Sequence, residues 1–245
     1  MYGKSKGILA FANNSPSVNY EKIANQTLML AGRSLNLPVH LVIGQKQEHW
    51  KNSRQDTDTK QFVVWNNFNR YDVWNNTPFD QTLVIDVDYL ITTDRLNCLF
   101  DSAEDLVLCD KNHMLNEDKE TEPLAPIWAT VFYFRKTSRT KIYFGLVGRI
   151  QRNWHYYRTL FGIRSPQFRN DYAFSMAAEI LKVRARMPFG ITTVNYPVES
   201  IGINQDWMVV RTPQSATVLP RQDLHVMSKS WLQSDDLERF CSCAV

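Results

Sequence analysis

Two aspartates, Asp86 and Asp88, stand one residue apart at the end of a short apolar run. Residues 82–91 are mostly apolar and β-branched, and the turn-like residues 77–80 precede them, so this segment is predicted to be a buried strand. Carboxylates in such a setting cost free energy unless something pairs with them. Because hard divalent cations prefer oxygen ligands, the pair indicates a metal-ion site.

The geometry of a strand limits how the two aspartates can share one ion. Side chains alternate between the two faces of a regular strand, so Asp86 and Asp88 would point apart. Both can reach one ion only where the strand ends or bends, or through a water molecule. The alternative is that one acid is exposed and the other caps the next element.

A histidine and a lysine four residues apart, His225 and Lys229, supply the types of group that such a site still needs. A neutral imidazole is a good third ligand for manganese-like ions. A lysine ammonium is a point charge suited to a phosphate oxygen. The alternative is an ordinary pair of surface residues.

The segment from Ala10 to Asn14, with Tyr20 shortly after it, follows the first predicted strand. Ligands of open α/β sheets bind at the carboxyl ends of the strands, and a tyrosine in the following turn can stack on a base. The chain has no glycine-rich phosphate loop, which argues against dinucleotide oxidoreductases and P-loop NTPases. The alternative is that Tyr20 only packs at the start of the helix.

Asn170 and Asp171 stand near the start of an apolar helix predicted over residues 168–181. An aspartate at a helix start is most often an N-cap. A carboxylate at the mouth of a pocket can also orient an acceptor hydroxyl, or stabilise positive charge at a reacting carbon. The sequence is compatible with both interpretations.

Hydrophobic periodicity predicts the elements that must position these residues. Residues 7–12 and 39–43 are predicted strands, and residues 20–34 have helical spacing with Asn19 or Ser17 as a cap. The chain therefore begins with a parallel strand–helix–strand unit. Further predicted elements are strands at 62–65, 106–109 and 127–134, a short helix over 94–100, and short strands between 191 and 219.

Two polar stretches interrupt this pattern. Residues 45–60 are predicted to form an exposed loop or an irregular helix, and the charged residues 112–126 a solvated loop or a lid. Alternating strands and helices followed by mixed strands predict one α/β domain with a mixed central sheet.

Bulk properties permit an ordinary globular protein. The chain has 245 residues and a net charge of +3, which permits an anionic substrate without requiring one. No apolar run approaches the roughly 20 residues of a membrane span, and the apolar segment after the N-terminus is too short for a signal peptide. The four cysteines fit no disulfide framework, so a reducing cytoplasm is the expected location.

Five segments, in order, resemble those of nucleotide-sugar glycosyltransferases of the GT-A fold, most closely the glycogenin-like retaining type. These segments are residues 10–13 with Tyr20, 82–88, 128–136, 169–174 and 225–229. The resemblance covers nearly the whole chain and implies a single GT-A-type α/β domain over residues 1–245, with a Rossmann-like N-terminal half. Residues 1–110 would form the nucleotide-binding half, and residues 111–245 the acceptor-binding half and C-terminal tail.

The resemblance also implies a metal and a donor substrate. Asp86, Asp88 and His225 would hold Mn²⁺ or Mg²⁺, and the aspartates would also meet the donor ribose. The donor would be a UDP-sugar whose diphosphate meets Lys229. The residues implied to bind it are Phe11, Ala12, Asn13, Tyr20, Arg70, Asp86, Val87, Trp128 and Lys229.

The catalytic residues implied by the resemblance are Asn170 and Asp171, beside the anomeric carbon. Inversion would need a carboxylate base, for which Asp171 is the candidate; the His225–Lys229 ending favours retention, in which the leaving phosphate helps to take the proton. This ending lacks the family's glycine between its histidine and lysine, and the strand at 128–130 lacks its Asn-(Ala/Ser)-Gly. The phosphate and donor-sugar contacts can therefore differ from the family's.

More narrowly, residues 77–89 and 168–175 resemble small glycosyltransferases of T-even-type bacteriophages, some of which modify 5-hydroxymethylcytosine in DNA, including with arabinose. This resemblance implies a double-stranded DNA partner with hydroxymethylated cytosine, an arabinose- or glucose-type donor, and the host cytoplasm as the location. An enzyme on DNA must read a groove or flip the base, and it needs cations for the phosphates.

A basic segment interleaved with aromatic residues is available for such DNA contacts. It comprises residues 134–141 with Arg149, Arg152, His155 and Arg158, the aromatics Tyr143, Trp154, Tyr156 and Tyr157, and then Lys182, Arg184 and Arg186. This composition suits phosphate contacts and base stacking. The alternatives are solvated faces with core aromatics, a polysaccharide or protein acceptor, and a non-catalytic nucleic-acid-binding protein with a structural aspartate pair.

Overall fold

Strands and helices alternate along the first half of the chain. The computed structural model describes residues 5–44, 51–55, 62–66, 70–110, 124, 127–194, 198, 200–212 and 215–244. The strands are β1 (Lys6–Ala12), β2 (Val39–Ile43), β3 (Lys51–Gln55), β4 (Phe62–Asn66), β5 (Gln81–Ile85), β6 (Tyr89–Leu90), β7 (Leu106–Asp110), β8 (Ile127–Arg135), β9 (Thr192–Val194), β10 (Ser200–Ile203), β11 (Trp207–Thr212), β12 (Ser215–Pro220) and β13 (Leu224–Val226).

The helices cluster in the first βαβ unit, in the middle of the chain and at its C-terminal end. They are α1 (Tyr20–Leu35), α2 (Val73–Asn76), α3 (Ser138–Arg152), α4 (Trp154–Leu160), α5 (Asn170–Leu181), α6 (Lys229–Gln233) and α7 (Asp235–Cys243), with 3-10 helices at Arg70–Asp72 and Arg95–Asp101. Within the described ranges, none of the helices has the length and apolar character that crossing a bilayer requires.

A five-stranded mixed sheet forms the centre of the fold, in the order β2-β1-β5-β8-β7. β1 pairs in parallel with both β2 and β5, while β8 runs antiparallel to β5 and β7. The carboxyl ends of β1 and β5 therefore meet at one edge of the sheet, where ligands of such sheets bind. The predicted parallel βαβ start is confirmed, and Asn19 caps α1 by accepting from the Lys22 N–H at 2.9 Å.

Alternating side chains of the central strands feed two separate hydrophobic cores. Ile8 and Ala10 of β1 pack with α1, α7 and the small sheets on one face. Leu9 of β1 and Phe132 of β8 pack with α3, α4 and α5 on the other. This period of two is what a strand covered by elements on both faces requires.

Three smaller sheets complete the described structure. β10, β11 and β12 form an antiparallel meander, β3 pairs with β4, and β13 lies between β6 and β9. The last of these matters most for the site, because it joins a strand from the first half of the chain to one near its C-terminal end.

The structure corrects two of the predicted elements. Residues 82–91 do not form one strand, because the chain turns after Ile85 and continues as β6 in another sheet. The stretch 45–60 contains the strand β3 instead of a loop or irregular helix, its other residues lying outside the described ranges. Apart from Leu124, which is buried, the predicted charged loop at 112–126 also lies outside them.

Candidate metal and nucleotide site

The turn after β5 places both aspartates at the same edge of the central sheet. The Tyr89 N–H donates to the Asp86 carbonyl at 3.1 Å, closing a tight turn that contains Asp88. The Asp86 N–H donates to the carbonyl of Thr130 on β8 at 2.8 Å, which fixes the start of the turn. The strand therefore ends at the point where both aspartates could reach one ion, and this removes the alternation that would have separated the two side chains.

His225 reaches this turn through strand pairing. On β13 it lies opposite Tyr89 in the antiparallel ladder with β6. The next N–H, that of Val226, donates to the Asp88 carbonyl at 2.9 Å. The backbone of β13 is thus paired with β6 at His225 and bonded to the turn at Val226, and this places the imidazole of His225 beside Asp88.

Asp86, Asp88 and His225 form a cluster of potential metal ligands. One ligand atom from each lies within 4.8 Å of the others. His225 Nε2 is 3.3 Å from Asp88 Oδ1, close to the roughly 3.0 Å between two ligands at right angles that each lie about 2.1 Å from an ion. Two carboxylates and an imidazole suit an ion such as Mn²⁺, so these residues fit the metal that the GT-A resemblance implies.

Two buried cations lie among these ligands. Arg70 forms an ion pair with Asp86, and Lys229 forms one with Asp88, and the two cationic side chains are only 7% and 8% exposed. Burial alone would raise the pKa of Asp88, but the charge of Lys229 and the hydrogen bonds from His225 and Lys229 hold it well below its usual range. Burial lowers the pKa of Arg70 to about 10, opposed by nearby carboxylates, so its guanidinium is charged at neutral pH.

Trp128 lies directly beside the histidine. Its ring meets the His225 imidazole edge-to-face, with centroids 5.0 Å apart and an interplanar angle of 77°. Trp128 is buried on β8, next to Ala129 and Thr130. Trp128, one of the residues implied to bind the donor, therefore lies beside the metal-ligand cluster.

Asp171 does not cap its helix. The N-cap position of α5 is Arg169, without a capping side-chain bond. Asp171 Oδ1 instead accepts from the Ala129 N–H at 3.0 Å, and its Oδ2 lies 3.7 Å from Arg169. The β7–β8 ladder shifts register at Leu108 and Cys109, so at this irregularity a helix side chain satisfies a strand N–H. Asp171 is thereby attached to the strand segment that also carries Trp128.

The residues predicted to line a nucleotide pocket lie at the carboxyl end of β1. Ala12 ends the strand and is buried, Phe11 is half-buried, and Tyr20 is the buried first residue of α1. Asn13 follows the strand and is half-buried. β1 neighbours β5 in the sheet, so these residues and Asp86 share an edge. Val87, in the turn, is buried in the core on the α1 face and its side chain packs there.

Several buried polar atoms around the site have no hydrogen-bond partner within the described structure. They include Asn13 Nδ2, Arg70 Nη1 and His225 Nδ1. Buried donors are normally satisfied, so such a group of unmatched atoms fits a ligand rich in acceptors, as a nucleotide diphosphate is.

One buried acid close to the cluster was not predicted from the sequence. Asp223 is fully buried two residues before His225 and is held by Thr92, Thr93 and Arg95. Burial raises its pKa, and Arg95 and the hydrogen bonds oppose that rise. Its proximity to His225 in sequence was the only available signal.

Two aromatic residues of the basic segment are core residues. Tyr143 and Trp154 are each 1% exposed, and their polar atoms donate to the carbonyls of Phe174 and Pro166 at 2.9 and 2.8 Å. They cannot stack on bases, which corrects that part of the DNA hypothesis. Tyr156 is 66% exposed and remains available.

The described architecture matches that of a known galactosyltransferase. No protein-family model matches the chain, and no curated protein matches it in sequence. Galactosyltransferase LgtC, solved with donor and acceptor sugar analogues, is similar over 97% of this chain and 95% of its own, with 12% identity and a TM-score of 0.54. An active-site mutant of LgtC gives 14% identity at the same coverage and TM-score. The predicted GT-A-type α/β fold with a mixed central sheet is confirmed.

A second similar protein is larger than this chain. The glycosyltransferase GlyE of Streptococcus pneumoniae TIGR4 aligns with 75% of the chain at 12% identity and a TM-score of 0.44. The chain spans 45% of the length of that protein.

Proposed function

We propose that the protein is a metal-dependent glycosyltransferase that moves a sugar from a UDP-sugar to a hydroxyl acceptor. The observation that carries the proposal is the cluster of Asp86, Asp88 and His225, whose ligand atoms lie within 4.8 Å of one another. It stands at the carboxyl ends of β1 and β5, where open α/β sheets bind their ligands. The confirmed GT-A-type fold supports the same conclusion.

Different residues of the site would bind the metal ion, the diphosphate, and the nucleotide and sugar of the donor. Asp86, Asp88 and His225 would hold Mn²⁺ or Mg²⁺, which when bound would act as a Lewis acid toward the leaving diphosphate. Lys229 supplies a second positive charge for that diphosphate. The residues proposed to bind the nucleotide and sugar are Phe11, Ala12, Asn13, Tyr20, Arg70, Val87 and Trp128. In this proposal residues 1–110 form the nucleotide-binding half and residues 111–245 the acceptor-binding half, from which Trp128, His225 and Lys229 also reach the donor.

Transfer forms one bond and breaks another. The acceptor oxygen bonds to the anomeric carbon, while the bond from that carbon to the diphosphate breaks and its electron pair stays on the diphosphate. Both carboxylate oxygens of Asp171 are engaged, by the Ala129 N–H and by Arg169. A carboxylate held in this way suits orienting the acceptor or stabilising positive charge at the sugar, with Asn170 beside it. We therefore favour retention, with the hydroxyl proton passing to the leaving phosphate.

A donor screen tests this proposal. The protein is incubated with Mn²⁺ and a panel of nucleotide sugars, and release of the nucleotide diphosphate is measured. We expect release with a UDP-sugar, its loss with a chelator, and a decrease of at least about 100-fold for Asp88→Ala and His225→Ala. The control is Asp80→Ala, because Asp80 bonds Ser5 at the opposite end of β5. Normal turnover of both site variants with chelator present would refute the metal mechanism.

For the acceptor we propose 5-hydroxymethylcytosine in double-stranded DNA, which would place the reaction in the cytoplasm, of the host if the chain is phage-encoded. Residues 135–170 contain nine Arg or Lys and no Asp or Glu, although the whole chain has a net charge of only +3. Arg139, Lys141, Arg149 and Arg152 are exposed on α3. Such a concentration of positive charge suits a phosphate backbone.

The basic helices also pack against the site. Arg152 lies over the ring of Tyr71, 6.0 Å from its centroid, and Tyr71 follows Arg70, the partner of Asp86. Trp154 of α4 stacks on Tyr172, next to Asp171, with ring centroids 6.0 Å apart. A polyanion on α3 and α4 would therefore lie close to the reacting groups.

Labelled UDP-sugars with hydroxymethylated or plain duplex DNA test the acceptor, with the mass of the DNA as readout. Addition of one pentose or hexose to hydroxymethylated DNA alone is the expected result. Donor turnover without label on either DNA refutes the DNA acceptor and favours a polysaccharide or protein. DNA binding without any turnover of nucleotide sugar favours a non-catalytic binding protein.

A further inference from the structure

A buried carboxylate outside the metal cluster has no role in the proposed chemistry. Asp223 is fully buried. Its Oδ1 accepts from the Thr92 N–H at 2.9 Å, the Thr93 N–H at 3.0 Å and the Thr93 hydroxyl at 2.9 Å. Its Oδ2 pairs with Arg95 Nε at 3.1 Å. A buried charge with this many partners costs a great deal to lose.

The carboxylate joins the two strands that bring the metal ligands together. β6 begins directly after Asp88, and Thr92 follows its end by two residues. Asp223 directly precedes β13, which carries His225. The ladder between β6 and β13 has only two residue pairs, and so short a ladder is weak by itself. Asp223 fastens the two strands just beyond the point where their pairing ends.

Further contacts strengthen the same junction. Arg221 Nε donates to the Thr92 carbonyl at 3.0 Å, and the Thr92 hydroxyl donates to the Gln222 carbonyl at 2.9 Å. Arg95 lies over the ring of Phe189, 4.7 Å from its centroid, which orients the guanidinium toward its partner. The segments before β13 and after β6 are thus tied by side chains from both.

We propose that Asp223 is a positioning residue that sets the separation of Asp88 from His225 and thereby the affinity of the site for a divalent cation. This inference rests on the proposed function. Asp223→Ala leaves two backbone N–H groups, a hydroxyl and a guanidinium without their acceptor. Asp223→Asn keeps an oxygen for the three hydrogen bonds at Oδ1, but it loses the ion pair and hydrogen bond with Arg95.

Direct measurement of Mn²⁺ binding tests the inference, by titration calorimetry and by the paramagnetic resonance signal of free Mn²⁺, without any donor. We expect Asp223→Ala to raise the Kd for Mn²⁺ about 10- to 100-fold, with an unchanged far-UV circular dichroism spectrum. Asp223→Asn should recover most of the affinity. Asp80→Ala, which removes an inter-segment carboxylate at the far end of β5, should bind as the unaltered protein does.

The Mn²⁺ titrations distinguish failure of the positioning role of Asp223 from failure of the proposed function. If Asp223→Ala loses its folded spectrum, Thr93→Val replaces it as the test, because it removes one of the hydrogen bonds and should weaken Mn²⁺ binding by a smaller factor. An unchanged Kd in a folded Asp223→Ala or Thr93→Val variant overturns the positioning role while leaving the metal site intact. Failure of the unaltered protein to bind Mn²⁺ overturns the proposed function itself.

Discussion

Breaking the ion pair between Asp88 and Lys229 should destabilise the protein more when one partner is replaced than when both are. Their side chains are 14% and 8% exposed, so the pair is largely removed from solvent. Removing one member of a buried pair costs about 3–5 kcal/mol, whereas replacing both with neutral groups of similar volume is close to neutral. Because Asp88 is partly exposed, we take the lower end, about 3 kcal/mol, for Asp88→Asn and for Lys229→Met. The loss of free energy of unfolding in the double variant should therefore be smaller, by about 2 kcal/mol or more, than the sum of the losses in the two single variants.

Urea unfolding in the presence of a chelator measures these differences, with circular dichroism as the signal and the slope of the transition as a check on the denatured state. Glu179→Gln is the control, since its ion pair with Lys182 is exposed and such pairs contribute little. Additive losses in the Asp88–Lys229 cycle would refute the reasoning, because two independent sites have no coupling energy. Equal losses in the control would point to a general effect of charge.

Three further predictions concern packing, metal binding and the acceptor surface. A Cβ at Gly148 would lie 2.8 Å from Tyr71 Cδ2, whereas nothing lies within 4 Å of one at Gly145 on the same helix. In urea unfolding, Gly148→Ala should therefore lower the free energy of unfolding by about 1–3 kcal/mol, and Gly145→Ala should raise it by about 0.5–1 kcal/mol. Equal effects of the two substitutions would contradict the close packing of Gly148 against Tyr71. In a thermal scan, Mn²⁺ at 100 times its Kd should raise the Tm of the unaltered protein by roughly 5–10 °C. The His225→Gln variant should lose most of this increase in Tm. If the variant kept the increase, His225 would be excluded as a ligand. Arg152→Glu should weaken the binding of duplex DNA and reduce the salt dependence of that binding in a filter or anisotropy assay. Its Mn²⁺-dependent donor turnover without DNA should be unchanged. If DNA binding were unaltered, the polyanion would bind elsewhere.

Local pattern was sufficient for the first βαβ unit and for the chemical types in the site. Residues 39–43 were predicted with the observed bounds of β2, and the helix predicted over 20–34 ends one residue further along. In these elements the apolar period of two or 3.6 residues already matches the face that becomes buried, so tertiary packing does not change the structure that the local pattern predicts. The two close aspartates likewise indicated a cation, because buried carboxylates need a partner, although the same pair could have been one exposed acid and one cap.

Patterns that depend on the whole fold were not predictable in the same way. The aromatic residues Tyr143 and Trp154 had the composition of a stacking surface, but α3 and α4 turn them into the core. The helices α6 and α7 were not predicted, since they have only 5 and 9 residues and helices this short depend on their packing more than on their propensity.

The sequence by itself determined which groups this protein can offer, namely two carboxylates, an imidazole, a lysine and a stretch, residues 135–170, that is basic and contains no Asp or Glu. Only the tertiary structure decided that they meet. Asp88 and Lys229 are 141 residues apart in the chain, and their contact depends on a turn that ends β5, a two-residue ladder with β13 and the buried anchor at Asp223. Such contacts form only when the whole domain packs, so they cannot be predicted from the local periodicity of the sequence.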